Sequence, residues 1–217
     1  AEALAEAEPQ DKKLLNGRNF IMKKSLSITG IVLIIIVGVV IIFGMSCMGT
    51  YNSLVNLEED VNQANSEVQN QMQRRAELIP DLVATVKNYA KHEEKIFEDI
   101  ANARAALNAS FKSGDPTEIS EANSQLTSRV NNLLAIAENY PTLTASEQYT
   151  SLMDQLEGSV NRITVARTNY NELVAKYNKK VRNFPGSILA SMFGFEKLEQ
   201  YKADESANKI NMVDFGD

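Results

Sequence analysis

The chain has 217 residues, of which 44% are hydrophobic and 23% are charged, and its formal net charge is −6. This acidic balance lacks the basic face of a nucleic-acid-binding protein, so no nucleic-acid partner is expected. Ten glycines and five prolines are too few turn residues for a β-sandwich or barrel, and the chain has no tryptophan. The single cysteine excludes an internal disulfide.

The first 21 residues differ in character from the rest of the chain. Met22, Lys23 and Lys24 look like a natural start, whereas residues 1–21 begin without methionine. We treat residues 1–21 as an N-terminal extension of uncertain origin and leave them out of the fold prediction.

A segment without charged side chains runs from Leu26 to Met48, and Ile, Val and Leu occupy every side of the helix that it would form. About 20 apolar helical residues cross the hydrocarbon core of a bilayer. A core helix of a soluble protein would normally keep one polar face. We therefore predict a membrane anchor at residues 22–49, with the span at about residues 26–48.

The charges on either side of the span predict its orientation. Five basic residues precede it, and the first one after it is Arg74. The positive-inside rule places the short N-terminus in the cytoplasm and the following domain on the other side of the membrane. The alternative is a lipoprotein anchored at Cys47, because Gly44–Cys47 faintly resembles a lipoprotein cleavage site after a signal peptide.

Beyond Tyr51, apolar residues recur at steps of three and four, which is helical periodicity. The first run keeps this step through Pro80 and is predicted to end at Lys112. Because proline removes a backbone donor and clashes with the preceding turn, we expect a kink or short break at Pro80, after which the helix resumes in register. The predicted inward residues are Leu54, Leu57, Val61, Ala64, Val68, Met72, Ile79, Leu82, Val86, Tyr89, Ile96, Ile100, Ala103 and Leu107.

Two further helices are predicted. The second begins with Asp115 as N-cap and stops before Pro141. The third begins with a capping box in which Thr144 accepts a free amide and Glu147 reaches back, and Pro185 closes it. The inward residues of the second helix are Ile119, Ala122, Leu126, Val130, Leu133 and Ala137. Those of the third are Tyr149, Leu152, Leu156, Val160, Ile163, Ala166, Tyr170, Val174, Tyr177, Val181 and Phe184.

These elements predict an all-α protein with a single N-terminal transmembrane helix and an elongated antiparallel helical bundle at residues 50–195. A polar C-terminal tail is expected at residues 196–217. A first run that continued to Lys112 would exceed the length of the second helix, so part of it would pair with the third helix, stand free or contact another copy. This mismatch in length predicts self-association.

Few residues could carry catalysis. His92 is the only histidine, and neither an HExxH nor a Glu-x-x-His motif surrounds it. We predict no enzyme activity, no cofactor and no metal site. The candidate interaction surface at the expected bend consists of Arg74, Arg75, Glu77 and Asp81. The alternative is that both arginines pair with carboxylates on their own or neighbouring helices.

A basic cluster lies in the last turns of the third helix, at Lys176, Lys179, Lys180 and Arg182. Positive charge at this position complements the helix dipole, which is sufficient reason for the cluster. The same residues could meet anionic headgroups if this helix end returns to the bilayer.

Several segments in order carry a family resemblance: QRRAELIPDLV at 73–83, VKNYAKHE at 86–93, ENYP at 138–141, NRI at 161–163, AR at 166–167, YN at 170–171 and 177–178, and FP at 184–185. With them the chain resembles the LemA family over essentially Tyr51 to Phe195. The resemblance implies a membrane-anchored antiparallel helical bundle in bacteria, with no established enzymatic activity and no agreed site residues. Asn65 stands where a tryptophan is expected in this family, and Val160 where an acidic residue is frequent.

The sequence thus predicts a non-enzymatic, membrane-anchored helical scaffold or adaptor of the bacterial cell envelope. Its expected place is the inner membrane, and its expected partners are the lipid bilayer, further copies of itself and an envelope protein. The alternative is an accessory subunit of an envelope protease or other membrane enzyme, since LemA-family relatives are often encoded near such proteins.

Overall fold

Six α-helices form the secondary structure of the part of the chain that the computed structural model describes, which is residues 8–202 for the backbone and 28–202 for the side chains. No strand occurs in this part, and the all-α prediction is confirmed. The predicted span end Leu26 and the N-terminal extension lie outside the described side chains, and residues 203–217 lie outside the described residues. The helices are α1 (Glu8–Lys87), α2 (Glu94–Ser110), α3 (Pro116–Ala137), α4 (Pro141–Thr144), α5 (Glu147–Arg182) and α6 (Gly186–Phe193).

The first of two compact units ends at Asn52, and its described side chains belong to the apolar part of α1. All the large apolar side chains from Ile28 to Met48 are exposed, and none of the most apolar stretch is buried in protein. A core helix of a soluble protein would bury such a stretch, whereas a helix in lipid keeps it against hydrocarbon. This part of α1 is therefore long and apolar enough to cross a membrane, as predicted.

The second unit begins at Ser53 and contains a bundle of four long helices: the rest of α1 with α2, α3 and α5. Near its start, Ser53 accepts a hydrogen bond from the Lys180 ammonium group. Further along α1, Asn70 lines a groove together with Asn169 of α5. The earlier α1 residue, Ser53, contacts the later α5 residue, Lys180, and the later Asn70 lies near the earlier Asn169. These two helices therefore run antiparallel.

Pro80 lies inside α1 without ending it. A proline has no N–H to donate to the carbonyl four residues back, which here belongs to Ala76. The Nε of Arg104 on α2 donates to this carbonyl at 2.9 Å, so the acceptor left by the proline is satisfied. The Lys87 ammonium group stands 5.9 Å from the centre of the Phe97 ring. Because the later residue of α1 contacts the earlier residue of α2, and Ala76 contacts Arg104, α2 runs antiparallel to α1. Of the kink or short break expected at Pro80, the break does not occur, because α1 is continuous through this residue.

The first helical run ends at Lys87 rather than at the predicted Lys112. The N–H groups of Tyr89 and Ala90 both donate to the Val86 carbonyl, at 3.0 and 2.9 Å, and close the helix end. Tyr89, predicted to face inward, is 43% exposed, whereas Ala90 is buried. Because α2 folds back on α1, the long run from which we predicted self-association does not form, and self-association needs another basis.

The core of the bundle follows the predicted apolar periodicity. Fully burying each large aliphatic side chain contributes about 1.5–3 kcal/mol. Val160 and Phe184 are exceptions, since both were predicted inward and both are exposed; Ser159 is buried beside Val160, and its hydroxyl donates to the Leu156 carbonyl at 2.6 Å. The largest fully buried side chains are Leu54, Val61, Met72, Ile79, Leu82, Ile100, Leu107, Ile119, Leu126, Leu133, Leu143 and Tyr177.

The start of α5 differs from the predicted capping box. Ser146, not Thr144, is the N-cap, and its hydroxyl oxygen accepts from the Tyr149 N–H at 3.3 Å. Thr144 ends the short helix α4, where its hydroxyl donates to the Pro141 carbonyl at 3.1 Å. The N-cap of α5 lies two residues after the predicted one, because Thr144 belongs to α4. For α3 the structure agrees with the prediction, since the Asp115 carboxylate accepts from the Thr117 N–H at 2.8 Å.

Replacing Ser146 with alanine is expected to lower the free energy of unfolding by about 1 kcal/mol, because an amide in the first turn of α5 loses its acceptor. The matched control is Thr144→Ala, which should change it by less than about 0.5 kcal/mol. Urea unfolding in detergent, followed by circular dichroism at the helical band, measures both. A larger loss for Thr144→Ala would contradict this assignment of the cap.

Candidate functional site

Three of the four residues predicted to form an interaction surface are exposed. Arg74, Glu77 and Asp81 are exposed, and their spacing of three and four residues places them on one face of α1. The amide of Gln73 donates to the Glu77 carboxylate at 3.2 Å. Arg75 does not share this surface, because it is only 5% exposed.

Arg75 instead joins α1 to α3 inside the bundle. Its guanidinium donates to the Thr127 hydroxyl at 2.9 Å and to the Asn123 side-chain oxygen at 3.4 Å. Thr127 in turn donates to the Asn123 carbonyl at 2.8 Å. A buried charge is tolerated only when hydrogen bonds replace the water that it loses. Arg75 is therefore a structural link between two helices.

Residues 196–201, which we call the C-terminal strap, lie against α5 in a non-helical conformation, although we predicted that a polar tail begins at residue 196. The Asn178 amide donates to the Leu198 carbonyl at 2.8 Å and accepts from the Leu198 N–H at 2.9 Å. Asn171 makes the same pair of bonds with Tyr201, at 3.0 and 2.9 Å. Each asparagine offers a donor and an acceptor, as a neighbouring strand would. The packed fold therefore continues past residue 195.

Tyr201 fixes the end of the strap, and it is only 3% exposed. Its hydroxyl donates to the Asn65 side-chain oxygen at 2.6 Å, and the Asn65 amide donates to the Gly114 carbonyl at 3.1 Å. Its ring meets that of Tyr170 edge to face at 4.9 Å, and the Arg167 guanidinium stands 5.6 Å from the ring centre. Tyr201 thus joins α1, α5 and, through Asn65, the turn before α3.

Tyr170 and Tyr201 both have raised pKa values. Burial raises the pKa of Tyr170 to about 12, and the nearby charges of Asp115 and Glu199 add to the increase. Burial also raises the pKa of Tyr201. The Tyr170 hydroxyl donates to the Glu199 carbonyl at 2.9 Å, which needs the protonated form. These shifts follow first from burial and then from the neighbouring charges.

Stability should fall as the pH rises from about 10 to about 12. In this window the unfolded tyrosine has lost its proton while the folded one retains it, so a higher pH favours the unfolded chain. Tyr170→Phe cannot ionise and should flatten this fall, although it lowers stability at pH 7 by about 1 kcal/mol. Urea unfolding at several pH values measures the slope. An equal flattening in the exposed control Tyr89→Phe would contradict the assignment.

The side chains that could serve catalysis or metal binding do not converge in the described part of the chain. His92 is exposed in the turn between α1 and α2. Among residues 28–202, no group of three or more His, Cys, Asp or Glu side chains is placed to hold a metal ion. Cys47 is partly exposed in the apolar part of α1.

Residues 64–215 match the profile of the LemA family, a stretch that includes α2 to α6 and the C-terminal strap. The chain belongs to the LemA family. The resemblance predicted from the segments at residues 73–185 is thereby confirmed, and the match extends to residues that those segments did not include.

Three relatives illustrate the similarity. Magnetosome protein MamQ 2 of Paramagnetospirillum magneticum is 25% identical over 186 residues, which are 75% of this chain and 68% of the relative. Magnetosome protein MamQ of Magnetospirillum gryphiswaldense is 27% identical over 177 residues, with shares of 70% and 64%. Protein LemA of Metamycoplasma hominis is 26% identical over 174 residues, with shares of 80% and 76%. The similarity covers more than 60% of both chains in each of the three comparisons.

At two positions this chain differs from the residue that is expected in the LemA family. Asn65 replaces the expected tryptophan, and it joins α1 to the strap and to the turn before α3. Val160, where an acidic residue is frequent, is 43% exposed on α5. Asn65 therefore takes part in contacts inside the fold, whereas Val160 lies on the surface.

Proposed function

We propose that this LemA-family protein is a non-enzymatic scaffold or adaptor of the bacterial cell envelope. A single helix anchors it in the inner membrane, and the helical bundle binds other proteins through its exposed faces. The proposal rests on the contacts that two buried polar side chains make in the described bundle. Arg75 joins helices and Tyr201 holds the strap, so both serve the fold rather than a reaction.

The orientation belongs to the same proposal. The basic residues before the span and the absence of Lys and Arg from residues 49–73 of the sequence favour a cytoplasmic N-terminus and an extracytoplasmic bundle. Retention of the span, rather than lipid attachment at Cys47, is part of the proposal, because the apolar run is longer than the core of a signal peptide.

Self-association is proposed through the surface formed by Arg74, Glu77 and Asp81. A two-fold axis brings the same patch of two copies together, so each copy must complement itself. One positive and two negative groups on a single exposed helix face meet this requirement. Exposed ion pairs contribute about 0–1 kcal/mol each, so the association is expected to be weak and to depend on salt.

The test is crosslinking of the full chain in native membranes, followed by identification of the crosslinked species. Recovery of the chain linked to itself supports the scaffold. Recovery of only a different envelope protein supports the alternative, an accessory subunit of an envelope protease or other membrane enzyme. A strict monomer at high concentration in nanodiscs would remove self-association. Arg74→Glu alone should weaken the self-crosslink, and adding Glu77→Arg should restore it.

A further inference from the structure

The short helix α6 exposes an unusual concentration of apolar side chains. Gly186, Leu189 and Ala190 are buried, and the helix packs on α5. Its other apolar side chains face outward: Ile188 is 48% exposed and Met192 is 70% exposed. Two more large apolar residues are exposed at the ends of α6: Phe184, which precedes the helix, is 71% exposed, and Phe193, its last residue, is 56% exposed. We call these four residues the α6 surface.

Elsewhere in the described part of the second unit, exposed large apolar residues stand singly. They are Val55, Tyr89, Val160 and Val165. Isolated exposed apolar residues are normal in soluble proteins, whereas a contiguous cluster marks a contact with protein or membrane. The four residues of the α6 surface, by contrast, fall within ten positions of the sequence, and Ile188 and Met192 lie one turn apart on the same side of α6.

Basic residues outnumber acidic ones in the segment that leads to the α6 surface. No acidic residue occurs between Leu173 and Phe195, whereas four basic residues fall in this interval, and Glu196 and Lys197 follow it. The four basic residues lie in the last turns of α5, at Lys176, Lys179, Lys180 and Arg182. Aromatic and aliphatic side chains flanked by Lys and Arg are typical of segments that lie in a membrane interface containing anionic lipids.

Only a short stretch of sequence separates the apolar segment from the residue that Lys180 contacts. Lys180 donates to the Ser53 hydroxyl, and α6 follows the end of α5 after a short turn. Ser53 comes five residues after Met48, where the apolar segment ends. Five residues reach at most about 18 Å in any conformation. Ser53 therefore lies within that distance of Met48, and Lys180 contacts Ser53.

We infer that the α6 surface is a second membrane contact of this protein. Phe184, Ile188, Met192 and Phe193 enter the boundary between headgroups and acyl chains, and Lys179 and Arg182 meet anionic headgroups. The inference rests on the membrane anchor of the proposed function but not on self-association. Its consequence is that the base of the bundle is held against the lipid at two points.

The test uses the full chain with p-benzoylphenylalanine in place of Met192, reconstituted in vesicles of phosphatidylcholine with phosphatidylglycerol. Irradiation is expected to give lipid adducts, identified by mass spectrometry. The matched control carries the probe in place of Val165, which is 70% exposed on α5, and should give none. A probe in place of Ile36, inside the span, should give lipid adducts and shows that the anchor is in the bilayer.

Lipid adducts at position 192 with none at position 165 support the inference. Adducts between two copies at position 192, or no lipid adduct there while position 36 reacts, would overturn it without affecting the anchor. Failure at position 36 as well would instead remove the anchor of the proposed function together with this inference. The basic residues are tested by K179Q and R182Q combined, which should reduce the yield at position 192 to the yield in phosphatidylcholine alone; an unchanged yield would contradict their role.

Discussion

Replacing Arg75 with alanine is expected to lower the free energy of unfolding of the bundle by about 3 kcal/mol. The change removes a large buried side chain and both hydrogen bonds that it donates to Asn123 and Thr127 of α3. Asn123 is 1% exposed, so water does not replace the lost donor. An unsatisfied buried acceptor costs about 1–3 kcal/mol by itself.

The control for Arg75 is the neighbouring Arg74. Arg74 is exposed on the same turn of α1, and Arg74→Ala should change the free energy of unfolding by less than about 0.5 kcal/mol. Urea unfolding of both variants in detergent measures the difference. Equal effects of the two substitutions would show that Arg75 does not link α1 to α3 in the way described.

Replacing Tyr201 with alanine is expected to release the C-terminal strap, at a cost of about 3 kcal/mol in the free energy that holds it on α5. The ring is buried, and it contacts Tyr170 and Arg167. Tyr201→Phe keeps the ring and loses only the hydrogen bond to Asn65, so its expected cost is about 1 kcal/mol.

Limited trypsin digestion measures release of the strap, because Lys197 lies within it and cleavage needs the backbone to leave α5. The expected order of cleavage rates after Lys197 is Tyr201→Ala fastest, Tyr201→Phe intermediate and the parent chain slowest. If Tyr201→Ala were cleaved at the parent rate, residues 196–201 would not be held by Tyr201.

The apolar positions of the helices could be predicted because local periodicity is visible in the sequence. The steps at Val61, Val68 and Met72, for example, mark the buried face of α1 directly. The continuity of α1 at Pro80 could not be predicted this way. It depends on Arg104, a residue of another helix that reaches the Ala76 carbonyl.

The burial of polar residues was also harder to predict, because it depends on contacts with other helices. Arg75 was assigned to a surface because charged residues are usually exposed. Its burial depends on Asn123 and Thr127, which lie on α3 and cannot be paired with it from the sequence alone. The site residues thus follow from tertiary contacts, whereas the helices follow from local pattern.

One feature of the sequence is related to the strap, although it was interpreted only as part of the family resemblance. Tyr-Asn occurs at residues 170–171 and again at 177–178, so that both asparagines lie on the same side of α5 two turns apart. This repeated pair supplies the donors and acceptors for Leu198 and Tyr201. The partner segment carries no comparable pattern, and a polar composition was therefore interpreted as a tail.

The α6 surface shows a different limit of the sequence pattern. The sequence from Ile188 to Phe195 is mostly apolar, but periodicity over the eight residues of α6 does not tell which side chains are covered. The structure separates Leu189 and Ala190, which pack on the bundle, from Ile188 and Met192, which do not.

The most direct measurement of the central claim, that the apolar part of α1 holds the protein in lipid, is alkaline carbonate extraction of membranes containing the Cys47→Ser variant. This variant cannot carry a lipid on Cys47, so only the helix can retain it. The account predicts that the intact protein stays in the membrane pellet, because about 20 apolar residues leave a bilayer only at high cost. Release of the intact protein into the supernatant would contradict it.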